Sequence, residues 1–385
     1  MESIIYFDNA ATTFPKPRSV VTEVEQCIKH ACGNPGRSSH ALAMAAAEKI
    51  FACREQLAAF FGQSNPENVI FTLNATYALN MAIKGLIAPG DHVLISDMEH
   101  NAVLRPLEAL KSQGVTWQTF PTVLEGRALS DDEICAEIHA RMLAERPSLL
   151  ICCHQSNLCS RALPVDRIGR LCRQNGILFL LDASQSAGHL PLSLSASGAD
   201  VICAPGHKGL FGVQGCGFLL LSKRVFPRTL IEGGNGVDSL SPDMGELLPE
   251  RLEAGTLPTP AIAGLCKGLQ FLSALTPWEV HTHEIALFNA LYDRLQSDST
   301  LGATVYLPEY PGSVLLFSLR GMASEAVGQA LAQKGICVRS GFHCSALGHR
   351  TLGTPPDGAV RVSFSLFNRK RELDRLIAVL RELRK

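Results

Sequence analysis

Two apolar runs end in groups suited to carbonyl chemistry. ILFLLDAS (177–184) closes on Asp182, and ADVICAP (199–205) runs directly into Gly206-His207-Lys208-Gly209. A lysine confined after a buried strand loses hydration, so its pKa falls and the neutral amine becomes available for a Schiff base. A carboxylate at the same rim complements it. Held against a pyridinium nitrogen, it keeps that ring protonated and lets it act as an electron sink, the requirement of pyridoxal phosphate chemistry. Singly, each residue has a plainer use: Asp182 as the N-cap of a helix in ASQSAG, Lys208 as a solvated residue in a glycine turn. Together they favour the chemical use.

Other residues converge on the same rim. His100, after DHVLISDME, is placed to stack on a flat cofactor, to donate a proton, or to cap the helix of HNAVLRPLEAL. Asn157 after LLICCHQS and Gln185 in ASQSAG offer amides to a ring hydroxyl, or serve as turn residues. TLNATYALNMAIKG (72–85) passes from strand to helix, so the amides near Ala75 and Thr76 and the Thr76 hydroxyl make a helix N-terminus suited to a phosphate. Arg361 on VRVSFS presents a guanidinium fork to a carboxylate, or is an ordinary strand arginine.

There are 13 cysteines, and the question is whether one is a reagent. Cys344 ends RSGFHC (339–344), beside His343 and near Arg339, a polar, cationic setting suited to a nucleophilic thiol. The other twelve read as small core hydrophobes. There is no CxxC pair, and Cys152-Cys153-His154 and His343-Cys344 lack the second ligand pair of a tetrahedral zinc site, so no metal is expected. The opening MESIIYFDNA has neither the basic nor the apolar region of an export signal. A cytoplasmic protein with reduced thiols is expected.

The elements that position these residues follow from the apolar pattern. NVIFTL (68–73), DHVLISD (91–97), SLLICCHQS (148–156), ILFLLDAS, ADVICAP and GCGFLLLS (215–222) alternate with helical-period segments, the clearest being 41–62, ended by Gly62. Continuous apolar runs between amphipathic stretches predict an α/β fold with a mostly parallel sheet flanked by helices. After about residue 260 come a long helical stretch (261–298), the strand-like SVLLFSL (313–319), ICVRSG (336–341) and AVRVSFS (359–365), and a charged helix (369–384). That is a smaller α+β unit, with a cleft expected between the two. The division is a large domain over 15–260 and a small domain from 1–14 and 261–385, the latter carrying the Cys344 loop.

Composition bounds the partners. The 385 residues are 46% hydrophobic and 18% charged, which excludes global disorder, and the net charge of −1 gives no basic field for nucleic acid. No apolar run reaches the roughly 18 residues of a membrane span. Any polyanion it takes must be small.

An ordered series of motifs then resembles the class V aminotransferases, in particular the cysteine desulfurases. It comprises YFDNAATTFPKP (6–17), GNPGRSSH (33–40), FTLNATYALN (71–80), MEHNA (98–102), HQSNLCSRALPVD (154–166), LDASQSAGH (181–189), GHKGLFGVQGCG (206–217), RLEAGTLPTP (251–260), RSGFHC (339–344) and VRVSFSLFN (360–368). The resemblance implies fold type I of the pyridoxal phosphate enzymes, with a seven-stranded sheet in the large domain. It implies that Lys208 bonds the cofactor, Asp182 meets the ring nitrogen, His100 stacks on the ring and Gln185 meets the ring hydroxyl. Ala75, Thr76 and His207 would hold the phosphate, and Thr256 would reach the phosphate of a second subunit, which implies a homodimer. Asn157, Arg339 and Arg361 would bind the substrate.

RSGFHC is similar to the Arg-x-Gly-x-His-Cys motif of the second desulfurase subgroup, which implies that Cys344 takes sulfur from L-cysteine as a persulfide, releases L-alanine and passes the sulfur to an acceptor protein. His100 would help as acid and base. Selenocysteine lyase, acting on L-selenocysteine, and an aminotransferase of a small amino acid are the alternatives. Three positions depart from the family pattern: Pro205 stands where a hydroxyl commonly meets the phosphate, Ser160 where Gly is frequent, and Phe342 where the subgroup often has His.

Overall fold

A computed structural model describes residues 4–36, 39–236 and 240–384; Arg37 and Ser38 of GNPGRSSH lie outside the described residues. Strands β1 (Val69–Thr72), β2 (His92–Ser96), β3 (Thr116–Phe120), β4 (Leu149–Cys153), β5 (Leu178–Asp182), β6 (Val201–Pro205) and β7 (Gly217–Leu221) form one sheet in the order β1-β7-β6-β5-β4-β2-β3. All pairings are parallel except those of β7, which is antiparallel to both neighbours.

Helices cover both faces, which is why the central strands read as unbroken apolar runs. Phe179, Leu181, Ile202 and Ala204 pack toward Leu57 and Leu269, from helices Ala41–Phe60 and Thr259–Ser273. Their neighbours Leu180, Val201 and Cys203 pack on the other face with Leu79 and Leu107, from helices Ala75–Leu86 and Asn101–Leu110. The alternation is the period-2 geometry of a strand. The edge strand β3 was not visible as an apolar run, because its residues are exposed or half-buried up to Phe120.

The second sheet contains β8 (Ala303–Val305), β9 (Val314–Leu319), β10 (Arg339–Gly341) and β11 (Ala359–Ser363), antiparallel in the order β8-β9-β11-β10. It shares a core with Leu287 and Leu291 of helix Pro277–Ser297 and Leu373 and Leu376 of helix Lys370–Glu382. The chain start joins this unit: Ile5–Tyr6 pairs in parallel with Ile336–Cys337, and Phe7 is in the same core.

Two expectations need correction. The stretch 261–298 is two helices, Thr259–Ser273 and Pro277–Ser297, because Pro277 cannot continue a helix from before it and Thr276 with Glu279 builds a capping box. ICVRSG is likewise two short strands, one paired with the chain start and one in the second sheet.

Candidate active site

The carboxyl ends of β2, β4, β5 and β6 open onto a cavity with about 580 Å³ of empty space, its mouth included. This is where ligands gather in a doubly wound sheet. Ala75, Thr76, His100, Asn157, Asp182, Gln185, His207 and Lys208 all line it, so eight of the residues singled out in the sequence share one wall.

Lys208 is partly open to the cavity. Burial pushes its pKa down to about 8, against the opposing pull of Asp182. Gly209 is required beside it, since a Cβ there would lie 2.3 Å from the Ala187 carbonyl oxygen and 2.5 Å from the His189 ring. Asp182 is buried and accepts the Ser184 amide on Oδ1 at 2.8 Å, which leaves Oδ2. His100 both caps its helix and faces the cavity: Nδ1 accepts the Ala102 amide at 3.0 Å, so in the neutral ring the proton is on Nε2. Burial lowers its pKa and favours that neutral ring.

At the other end of the cavity, helix Ala75–Leu86 presents its first amides, capped by the Asn74 side chain on Tyr77 N–H. Gly217 permits this approach: a Cβ there would be 2.6 Å from the Asn74 backbone. His207 faces the same region with a buried Nδ1 that has no hydrogen-bond partner, and burial holds its pKa near about 4. Pro205 closes β6 and contributes no hydroxyl to the lining.

The Cys344 loop comes from the second sheet. Its carbonyl accepts the Asn101 amide at 2.8 Å, one residue from His100, and the Asn157 amide donates to the His343 carbonyl at 2.7 Å. Ser345 Oγ donates to the Glu99 carbonyl. These bonds hold His343 and Cys344 at φ of 52° and 55°, the left-handed region that costs a non-glycine residue roughly 1–2 kcal/mol. His343 is buried and forms a relay: Nε2 meets the Arg339 carbonyl, and Nδ1 meets Nε2 of His349 at 3.0 Å. A carbonyl only accepts, so the His343 proton is on Nε2 and Nδ1 accepts from His349. Desolvation lowers both rings, to about 3 and about 4, so both are neutral near pH 7.

Arg361 is buried behind this loop. Nη1 donates to the Asn157 carbonyl at 3.1 Å and Nη2 to Asp8 Oδ1 at 2.9 Å, while its buried Nε has no partner. Arg339 donates to the same Asp8 at 3.1 Å. Asp8, in YFDNAATTFPKP, is a site residue with no sequence expectation attached; its one signal is a carboxylate in a motif that returns to the site.

Thr256 is not in this cavity. It lines a separate one with Asn34, Phe51, Arg54, Asn235 and Glu253. Ser160 is buried and stitches the two units, its hydroxyl donating to the Val314 carbonyl and accepting the Val314 amide. Phe342 is exposed and sets its ring edge-on to His349. Nine cysteines are buried and Cys266 and Cys337 are half-buried; Cys32 is exposed, as is Cys344, so Cys32 is not the core residue expected.

The family model for aminotransferase class-V matches residues 5–376. The chain belongs to that family. A probable cysteine desulfurase of Methanothermobacter thermautotrophicus is 31% identical, across 98% of this chain and 94% of that protein. A cysteine desulfurase of Synechococcus elongatus is 29% identical over 99% of this chain, which spans 60% of that longer protein. The apo structure of cysteine desulfurase from Thermococcus onnurineus superposes with a TM-score of 0.90 at 28% identity, covering 99% of this chain and 94% of that one. The fold type I architecture expected above is therefore the observed one. Among the described residues no helix is long and apolar enough to cross a membrane, and no cluster of ligating side chains could hold a metal ion.

Proposed function

We propose that this family member is a pyridoxal phosphate-dependent cysteine desulfurase that converts L-cysteine to L-alanine and takes the sulfur onto Cys344. One observation carries the reading: a Lys208–Asp182 cavity whose His100 helix is hydrogen-bonded to the carbonyl of an exposed cysteine. The cavity fits the cofactor at both ends. His207 Nδ1 is buried without a partner beside the open amides of Ala75 and Thr76, where a phosphate would sit, and Asp182 Oδ2 remains for a ring nitrogen.

Bound there, pyridoxal phosphate supplies a carbonyl for the substrate amine and a protonated ring that draws electrons from Cα. Lys208 would anchor it, and its Nζ, when free, would take the α-proton, for which a pKa of about 8 makes the neutral amine accessible. Gln185, buried and tied to the Ala10 carbonyl, is placed for the ring hydroxyl. Arg361, with Nε free, grips the α-carboxylate with Asn157 and Arg339. Cys344 Sγ then attacks the substrate sulfur. The S–S bond forms as the C–S bond breaks, and the carbon fragment gains a proton, which His100 Nε2–H, on the cavity wall, would donate.

Thr256, in its separate cavity, is left for the phosphate of a second copy, so a homodimer belongs to the proposal, as do a cytoplasmic location, a sulfur-acceptor protein and a division that gives residues 1–14 to the smaller unit; the expected boundary at residue 260 is corrected, because helix Thr259–Ser273 packs in the core of the large sheet and the division falls after it. The test is to incubate the protein with L-cysteine, with and without a reductant, and quantify alanine and sulfide. Stoichiometric alanine is expected, reduced at least 100-fold by Cys344→Ala; no alanine under either condition overturns the reading, and full activity of the variant overturns the persulfide step.

A further inference from the structure

Helix Ala41–Phe60 packs along helix Thr259–Ser273, and two cysteines meet across the seam. Cys53 is fully buried in the core of the large sheet, while Cys266, half-buried, packs against that core from the other helix. The two thiols are hydrogen-bonded to each other, and unequally. Burial pushes the Cys53 thiol well up, so Cys53 keeps its proton and donates. Receiving that bond holds the Cys266 thiol below its ordinary range; Lys267 and Lys49 add to the effect, and partial burial and Glu23 oppose it. Gln270 Nε2, one turn further along the helix, donates to the same sulfur at 4.0 Å. An oxidisable thiol needs thiolate character, access to solvent and a second thiol in reach to resolve it. Cys266 has the first two, and Cys53 is the third. Its helix is also the support of the lysine loop: a Cβ on Gly268 would lie 2.1 Å from the Leu210 carbonyl oxygen, and one on Gly206 would lie 3.2 Å from the Leu265 side chain.

We propose that Cys53 and Cys266 form a redox modification site, a dithiol that a peroxide converts to a reversible disulfide tying helix Ala41–Phe60 to the helix beneath the lysine loop. The Cys266 thiolate attacks one peroxide oxygen; the S–O bond forms as the O–O bond breaks, giving a sulfenic acid on Cys266 and a hydroxide that takes up a proton as water. Cys53 sulfur then displaces the hydroxyl. The S–S bond forms as the S–O bond breaks, and the Cys53 proton leaves with the hydroxyl as a second water. The two sulfurs are oxidised by two electrons, and the peroxide is reduced to two waters.

The test is to oxidise the holoenzyme with hydrogen peroxide, alkylate the remaining thiols and map the tryptic peptides without reduction. Residues 50–54 and 252–267 should appear as one linked peptide in about half of the molecules or more, and separate again with a thiol reductant. In Cys53→Ala no link should form, and dimedone should capture sulfenic acid on Cys266 about tenfold more than in the wild type. In Cys266→Ser the Cys53 thiol should stay reduced. Absence of the linked peptide from folded wild type, under conditions that oxidise the exposed Cys344, overturns the proposal, as does a link from Cys266 to Cys27 or Cys216 in place of Cys53. Equal dimedone capture in Cys53→Ala and wild type overturns the order of the steps; if that variant does not fold, the wild-type map alone decides. Neither cysteine lines the Lys208 cavity, so unoxidised Cys266→Ser should form alanine at the wild-type rate, and a failed desulfurase assay leaves this test standing.

Discussion

Lys208 shows how a reactive amine is stored in a folded chain. Desolvation favours the neutral form, and Asp182 limits the effect, so the amine settles near about 8 in place of its ordinary 10.5. The same shift has a cost in the cofactor-free protein. With a folded pKa below the unfolded one, the unfolded chain binds more protons between pH about 8 and 10.5, so this group's contribution to stability improves as pH rises through that window and is worst below it. Lys208→Met removes the penalty. The cofactor-free variant should gain roughly 1–3 kcal/mol at pH 7, with the gain disappearing above pH about 10.5, as read from urea unfolding across pH. A variant less stable than the parent at pH 7 would contradict the origin assigned to the shift.

At the scale of elements, the site is the set of places where buried strands stop. That is why much of it was legible: a strand covered on both faces appears as an apolar run, and Asp182, His207 and Lys208 are the polar residues at or just beyond its end. The edge strand β3 has no such run, and the break at Thr276-Pro277 is a local cap hidden inside a longer helical period. The Asp8 bridge was illegible for a different reason: it joins residues 331 and 353 positions apart, and no local pattern encodes that pairing. Gly217 links strand to helix in the same hidden way. In Gly217→Ala the new Cβ would lie 2.6 Å from the Asn74 backbone, a contact with no flexible partner to yield, so the Ala75–Leu86 helix must shift away from the phosphate end. Cofactor affinity, followed by absorbance titration, should fall at least tenfold, with a stability loss of about 1–3 kcal/mol; retained affinity would mean that the helix start is not the phosphate cradle.

Over the whole molecule, the lysine loop is braced by a buried ion pair from the other unit. His189, whose ring packs against Gly209, has Nδ1 between the carboxylate oxygens of Glu284, at 2.8 and 3.1 Å, on helix Pro277–Ser297. Burial opposes protonation of this imidazole, yet Glu284 outweighs it and raises the pKa above 6.5. A group raised on folding stabilises fully below its unfolded pKa and ceases to do so as pH climbs through the folded value. Glu284→Gln inverts this: without the carboxylate, burial alone acts on His189 and disfavours its charge. The stability difference between the parent and Glu284→Gln should therefore be largest near pH 6, about 3–5 kcal/mol for a broken buried pair, and should shrink as pH rises through the raised His189 value. Unfolding curves from pH 6 to 9 read it directly, and a difference independent of pH would show that Glu284 contributes by packing alone.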